Sequence, residues 1–419
     1  MTEPSAPRRI GDAAWLTAGP AARLLAVLDR DGEEARVVGG AVRNALLGER
    51  PGDFDIATTA VPEEIVRRVA AQGFKAVPTG IEHGTVTVVV DSLPFEVTTL
   101  RQDVETFGRK AAVRFGRDWQ ADAERRDFTM NALSVSPDGT LHDHVGGLAD
   151  LQARRVRFIG DPALRIAEDY LRILRFFRFH AAYGHGPPDR AGLAATIAAR
   201  DGIDRLSRER VRAELLKLLV AAGAAPTVAV MAETGLLGRV LGGVPLTPGF
   251  TNMVAVEAVV GLPPDPMRRL AALGVMIVED AERLTQRLRL SNAEHEQLAA
   301  MADGWWRIAP AMGAAAARAA LYRAGAARFT DRALLAWARS GAEAADAPWR
   351  DLALLGNAWT PPRFPLKAAD LMARGIRAGP RLGASLKAAE EAWIAAGFPA
   401  DRAALAAIAD AASRGGGSM

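Results

Sequence analysis

Hydrophobic and polar positions change their period once along the chain, near residue 160. Before that point short apolar runs alternate with helical segments. Residues 21–30 (AARLLAVLDR) space their apolar side chains as one helical face. Val37 and Val38 end a short strand, Gly39-Gly40 break it, and AVRNALLG reads as a helix closed by Gly48. DFDIATTA predicts a strand, and VPEEIVRRVAAQG a helix with Pro62 in its first turn. TVTVVV and FEVTTL are β-rich runs joined through Asp91-Ser92-Leu93-Pro94, which predicts a hairpin. DFTMNALSVS and TLHDHV flank a second turn at Pro137-Asp138-Gly139.

Past residue 160 the strand signals stop. EDYLRILRFFRFHAAYG, DRLSRERVRAELLKLLVAAG, NAEHEQLAAMADGWW and SLKAAEEAWIAAGF carry helical spacing interrupted by Gly and Pro, with no fixed internal repeat. The pattern predicts an α+β fold: a small mixed sheet followed by a long all-helical region. Residues 1–20 are expected to form a flexible arm, 21–155 the mixed head, 156–240 a helical neck, and 241–419 a helical body and tail ending in disorder over 414–419.

Composition narrows the classes. Lys and Arg total 52 against 49 Asp and Glu, a net charge of +3, so any polyanion site must be a local patch. Only five of the cations are lysines, a bias that a GC-rich genome explains as well as phosphate binding does. The absence of cysteine excludes disulfides, thiolate metal sites and a thiol nucleophile. The uncharged stretch Leu218–Ala232 is too short to span a bilayer and contains Pro226. Glu3, Asp12 and the lack of an early apolar run give no leader signature, so a cytoplasmic protein is expected.

The first chemical constellation is VVGGAVRNALLGERPGDFDIAT. A Gly-Gly turn between strand and helix offers backbone N–H groups to phosphate, and Arg43 stands ready to add a charge-assisted contact. Asp53 and Asp55 project to one side of a strand, as a pair of Mg²⁺ ions bridging a triphosphate and a hydroxyl requires. Glu96 on FEVTTL is either a third carboxylate or a solvated strand residue. Arg126-Asp127 is either a nucleotide contact or a surface pair. The basic loop with Arg109, Lys110, Arg114 and Arg117 is either solvated or an RNA and phosphate contact.

Asp169 and Arg172, read as one turn apart on a helix, form either an i,i+3 salt bridge or a base reader. A carboxylate beside a guanidinium complements an amino group beside a bare ring nitrogen, the edge shared by cytosine and adenine. Uracil and guanine present the reverse polarity, so the pair would select CTP and ATP with protein atoms alone. Arg175 and Arg178 continue the row at three-residue steps.

GGAVRNALLG, DFD, RRDFTMNAL, DHVGGLADL, EDYLRILRFFRF and LSRERVRAEL, in this order over residues 35 to 220, resemble the motifs of the class II tRNA nucleotidyltransferases. That family comprises CCA-adding enzymes and bacterial poly(A) polymerases. The segment PLKAADLMARGIRAGPRLGASLKAAEEAWIAAGF is similar to the family's tail. The resemblance implies that Asp53 and Asp55 hold two catalytic Mg²⁺ ions and that Gly40 and Arg43 bind the triphosphate, Gly39 supporting the turn. It further implies that Arg126 and Asp127 meet sugar and phosphate, that Asp169 and Arg172 read the base, and that Arg175 and Arg178 complete the pocket. Glu209, Arg210 and Glu214 would brace the neck helices. The implied reaction is template-independent addition of C, C and A to a tRNA 3′ end from CTP and ATP, with no membrane or protein partner. A-addition alone, poly(A) synthesis, or an inactive RNA-binding module are the rivals. A second, phosphohydrolase activity is rejected, because His180, His185 and His295 form no His-Asp pair. One departure stands out: Asn44 occupies the position after Arg43 where the family usually has Asp, keeping the acceptor and losing the charge.

Overall fold

The computed structural model describes residues 9–10, 13–81, 84–107 and 110–415. It divides into two compact units, residues 1–240 and 241–419. The expected head and neck therefore share the first unit.

The first unit is built on a seven-stranded mixed sheet in the order β3-β4-β5-β2-β1-β8-β9. The strands are β1 (Ala35–Val38), β2 (Asp55–Thr58), β3 (Lys75–Gly80), β4 (Thr85–Val90), β5 (Leu93–Thr99), β8 (Ser134–Val135) and β9 (Leu141–His142). A separate hairpin pairs β6 (Arg101–Phe107) with β7 (Lys110–Phe115). β1 is buried along its length and runs antiparallel to both β2 and β8, while β2 runs parallel to β5. This register sets Val38 beside Asp55 and Asp55 beside Glu96.

Several local expectations change. The turn between β4 and β5 is only Asp91-Ser92, both at positive φ (50° and 66°), as a two-residue primed turn requires. Leu93 and Pro94 belong to β5, where Pro94 lies before the stretch that pairs with β2 and owes no N–H to that strand. The basic "loop" is largely β7, which contains Lys110 and Arg114. DFTMNALSVS holds a 3₁₀ turn, Thr129–Asn131, and belongs to the sheet only at β8. Nor is 13–20 a free arm. A short helix, Ala14–Thr17, buries Leu16, and Trp15 packs on Phe54 at 5.1 Å between ring centroids. Residues 1–8, 11–12 and 416–419 lie outside the described residues.

The helix Leu171–Tyr183 is the spine of the expected neck. It buries Ile173, Leu174, Phe176, Phe177 and Phe179 and leaves Arg172, Arg175 and Arg178 half-buried. Each buried large side chain contributes about 1.5–3 kcal/mol of transfer free energy, so this face orients the arginine seam. Phe128, Phe158 and Phe176 stack under it, 4.8 and 5.5 Å apart, tying the head to the spine.

The second unit has no strand among its described residues. Its core holds a buried ionic knot: Glu257 accepts from Arg268 Nη1 and Arg269 Nε, each at 2.7 Å, and Arg268 Nε donates to Asp331 at 3.0 Å.

Candidate active site

A cleft of about 670 Å³ in the first unit gathers most of the residues singled out from the sequence. Gly39, Gly40, Arg43, Asp53, Asp55, Arg126, Asp127, Asp169, Arg172, Arg175 and Arg178 all line it. Seven arginines (the five above with Arg125 and Arg210) face four aspartates (Asp53, Asp55, Asp127, Asp169). That surplus of positive charge in a concave site suits a polyanion.

The floor follows from the β1 turn. Gly39 has φ +69°, a left-handed conformation that favours glycine, and its N–H donates to Leu133 O. The helix that follows, Gly40–Leu46, is only seven residues long, so side chains rather than its dipole supply most of the anion attraction. Phe54, just before β2, packs away from the cleft between Trp15 and Phe95 and leaves Asp53 and Asp55 to it. Partial burial pushes the Asp55 carboxyl up to about 6, the charges of Glu96 and Asp53 add to the rise, and Arg126 opposes it. Glu96 is thus an electrostatic neighbour of Asp55, although it does not line the cleft. Among the described residues no group of three or more His, Asp or Glu forms a metal cage. Asp53 and Asp55 suit a cation whose other ligands come from bound phosphates, and a cation there would relieve the repulsion that raises Asp55.

Arg43 is buried and surrounded by neutral oxygens. Its Nη1 donates to Asn131 Oδ1 at 2.6 Å, its Nη2 to Tyr183 Oη at 2.7 Å, and Nε and Nη2 both reach Asn44 Oδ1 at 3.2 and 3.0 Å. Asn44 therefore supplies the acceptor the geometry uses, without neutralising the guanidinium. Phe179 carries three cations on its ring: Arg178 at 4.2 Å, Arg175 at 5.2 Å and Arg43 at 5.3 Å.

Asp127 turns inward. It accepts from Phe128 N, Asn131 Nδ2 and Arg175 Nε at 2.8, 3.0 and 2.7 Å. Burial would raise its carboxyl, yet Arg175 and Asn131 hold it below the ordinary value. Arg126 is paired with Asp122, which also holds Arg125.

The pair Asp169 and Arg172 departs from the helical reading. Asp169 is extended (φ −153°, ψ 106°) at a break between helices Pro162–Glu168 and Leu171–Tyr183, so the i,i+3 geometry does not apply. The two side chains are not bonded to each other. Asp169 Oδ2 accepts from Arg210 Nη2 at 2.6 Å, and Arg172 Nη1 donates to Arg165 O at 2.7 Å and to Glu168. Tyr170 secures the break by packing on Gly202, where a Cβ would fall 1.9 Å from its ring. Glu214 holds Arg178 and stands 3.7 Å from Arg175, bridging helix Arg208–Leu219 to the spine, while Arg210 ties the same helix to the break at Asp169. Arg114 is exposed on β7 and lies outside the cleft lining. Arg109 and the side chain of Lys110 lie outside the described residues. Arg117 pairs with Glu33. Sequence reasoning missed Asn131, Phe179, Tyr183 and Glu168. Only Phe179 had a signal, its place one residue beyond the last arginine of the row.

Residues 35–157 match the family model described as poly A polymerase head domain, and 191–247 the one described as probable RNA and SrmB-binding site of polymerase A. The chain is 42% identical over 275 residues to CCA tRNA nucleotidyltransferase 1, mitochondrial, of Danio rerio, covering 65% of this chain and 63% of that one. It is 40% identical over 216 residues to the CCA-adding enzyme of Geobacillus thermodenitrificans, covering 50% and 51%. The chain thus spans between a half and two thirds of the length of these relatives. Its fold is similar to that of the Bacillus stearothermophilus CCA-adding enzyme crystallised with CTP, with a TM-score of 0.72, 28% identity, and coverage of 90% and 92%.

Proposed function

Because the chain belongs to the tRNA nucleotidyltransferase and poly(A) polymerase family, we propose that it adds C, C and A to the 3′ end of tRNA from CTP and ATP, without a template. The observation that carries this reading is one cleft lined by the Asp53/Asp55 pair, by a shell of arginines, and by a carboxylate and a guanidinium not spent on each other. In our reading residues 21–155 act as the catalytic head, 156–240 as the base-reading neck, and 241–419 as the body and tail that hold tRNA.

The RNA 3′ hydroxyl oxygen bonds to the α-phosphorus, the bond from that phosphorus to the α–β bridging oxygen breaks, pyrophosphate leaves, and the hydroxyl proton passes to solvent. Asp53 and Asp55 would hold the divalent cations, two Mg²⁺ in this reading, which when bound neutralise phosphate charge and favour the ionised hydroxyl. Arg43, Arg175 and Arg178 grip the triphosphate. Asp169 accepts from the N4 amino group of cytosine or the N6 amino group of adenine, and Arg172 donates to the adjacent ring nitrogen. Uracil would set a carbonyl against Asp169 and an N–H against Arg172, leaving polar groups unpaired. Orientation and fixed charge supply most of the acceleration in such a transfer.

We place the reaction in the cytoplasm. No helix among the described residues is long and apolar enough to cross a membrane, and a cysteine-free chain suits a reducing compartment. Cell fractionation with an antibody to the protein checks this, and recovery in an organelle would overturn it.

The activity is tested by primer extension with Mg²⁺ and tRNA transcripts ending at the discriminator base, after one C, and after two. Labelled CTP, ATP, UTP and GTP are offered separately and together. Stepwise C, C, A on the shortest transcript, stopping there, is the expected result. Addition of A only to the CC end, open-ended A tails, or no extension would each replace the proposal with the corresponding rival.

A further inference from the structure

We propose that Tyr183 is a positioning residue for the triphosphate, acting through Arg43. The inference rests on the transferase reading above and concerns how its phosphate side is built.

Arg43 has five N–H donors. Four are committed to Asn44 Oδ1, Asn131 Oδ1 and Tyr183 Oη, which leaves one N–H on Nη1 for a ligand among the described residues. None of those three acceptors is charged. A carboxylate in the same place would neutralise the guanidinium; neutral oxygens fix its direction and leave its full charge for an anion. The cage also has a mixed origin. Asn44 follows Arg43 in its own helix and Asn131 belongs to the 3₁₀ turn of the head. Tyr183 is the last residue of the spine helix that carries Arg172, Arg175 and Arg178. It makes two contacts with Arg43, the 2.7 Å hydrogen bond and a ring face 4.0 Å from the guanidinium carbon. Tyr183 itself does not line the cleft, whereas Arg43 does. Its hydroxyl is therefore where the arginine of the β1 turn is indexed to the helix that reads the base.

A triphosphate effect separate from base choice follows. Tyr183→Phe keeps the ring and removes one acceptor, leaving Nη2 of Arg43 held by Asn44 alone and the guanidinium less tightly aimed. The Michaelis constants for CTP and ATP are expected to rise together, by about tenfold, the scale of one lost hydrogen bond to a charged group. The preference for CTP over UTP and kcat at saturation stay as they were. Inorganic tripolyphosphate, which has no base, is expected to bind the variant weaker by the same factor in calorimetric titration. Circular-dichroism melting checks that the variant folds. Unchanged tripolyphosphate affinity, or a loss confined to base discrimination, would overturn the assignment. If the unmodified protein extended no RNA, that would count against the transferase reading alone, since tripolyphosphate binding to the two proteins still compares the cage directly.

Discussion

Replacing Arg210 by glutamine isolates the contact that holds Asp169, the carboxylate proposed to read the base. Arg210 Nη2 donates to Asp169 Oδ2 at 2.6 Å, and the remaining oxygen, Oδ1, accepts from Leu171 N at 3.1 Å. Without Arg210, Asp169 is held by that backbone bond alone and can rotate. A hydrogen bond between charged groups is worth about 1.5–3 kcal/mol when dry. Here the two side chains are 21% and 30% exposed, so solvent reduces the figure to about 1 kcal/mol, roughly a factor of five. That factor should appear as lost discrimination. CTP needs Asp169 aimed at its amino group and loses kcat/KM, whereas UTP, which meets Asp169 with a carbonyl oxygen, gains when the carboxylate turns away. Single-turnover kcat/KM for the two nucleotides, on RNA ending at the discriminator base, measures the ratio. The reasoning fails if both values fall by the same factor, because Arg210 would then be supplying charge to the nucleotide rather than direction to Asp169.

In its proposed role Asp55 should make transfer sensitive to acid. With its carboxyl near pH 6, transfer at limiting Mg²⁺ should fall as pH drops through about 6. Asp55 and Glu96 face each other across strands about 4.8 Å apart, and carboxylates roughly 6 Å apart in water repel by about 0.7 kcal/mol, or half a pH unit. Glu96→Gln should therefore move the acid limb down by about half to one unit; a limb that stays or rises would refute the coupling. Asp55→Asn should abolish transfer, by about a thousandfold or more in kcat, yet raise the melting temperature. The folded carboxyl lies above its unfolded value, so the protonated form favours the fold, and that contribution is lost as pH rises through 6. The gain from Asp55→Asn should thus appear at pH 7 and vanish near pH 4 in thermal melts. In the second unit, Arg268→Met leaves Glu257 to Arg269 and Asp331 to the neutral Gln297, and should cost about 3 kcal/mol in urea unfolding.

The parts of the site that local chemistry dictates were readable in the sequence. A Gly-Gly break after two valines can only be a turn, the residues flanking Phe54 must share a side of the chain, and arginines at three-residue steps among aromatics must form a seam. The hidden parts depend on contacts between residues distant in sequence. EDYLRILRFFR contains neither Gly nor Pro, and nothing in it marks a break at Asp169. The break is secured by Tyr170 lying against Gly202, 32 positions further on. Tyr183 and Asn131 gave no signal for the same reason: each matters because of Arg43, which is 140 and 88 residues away. Strand β7 reads in the sequence as a basic loop because its cations mask the alternation of a strand.

The break at Asp169 also explains how a carboxylate and a guanidinium three residues apart avoid consuming each other. On a continuous helix Asp169 and Arg172 would pair, and a nucleotide base would have to compete with that pair for both groups. With Asp169 extended, each group has its own clamp, Arg210 for the carboxylate and Glu168 with Arg165 O for the guanidinium. Each clamp uses part of its partner's capacity. A carboxylate offers about four lone-pair positions and a guanidinium five N–H groups, so both retain an edge for a base after the clamps are satisfied. Order without mutual neutralisation is what a protein needs if it is to read a base with no complementary strand. Arg43 goes further: its neutral cage fixes its direction and leaves its charge for an anion.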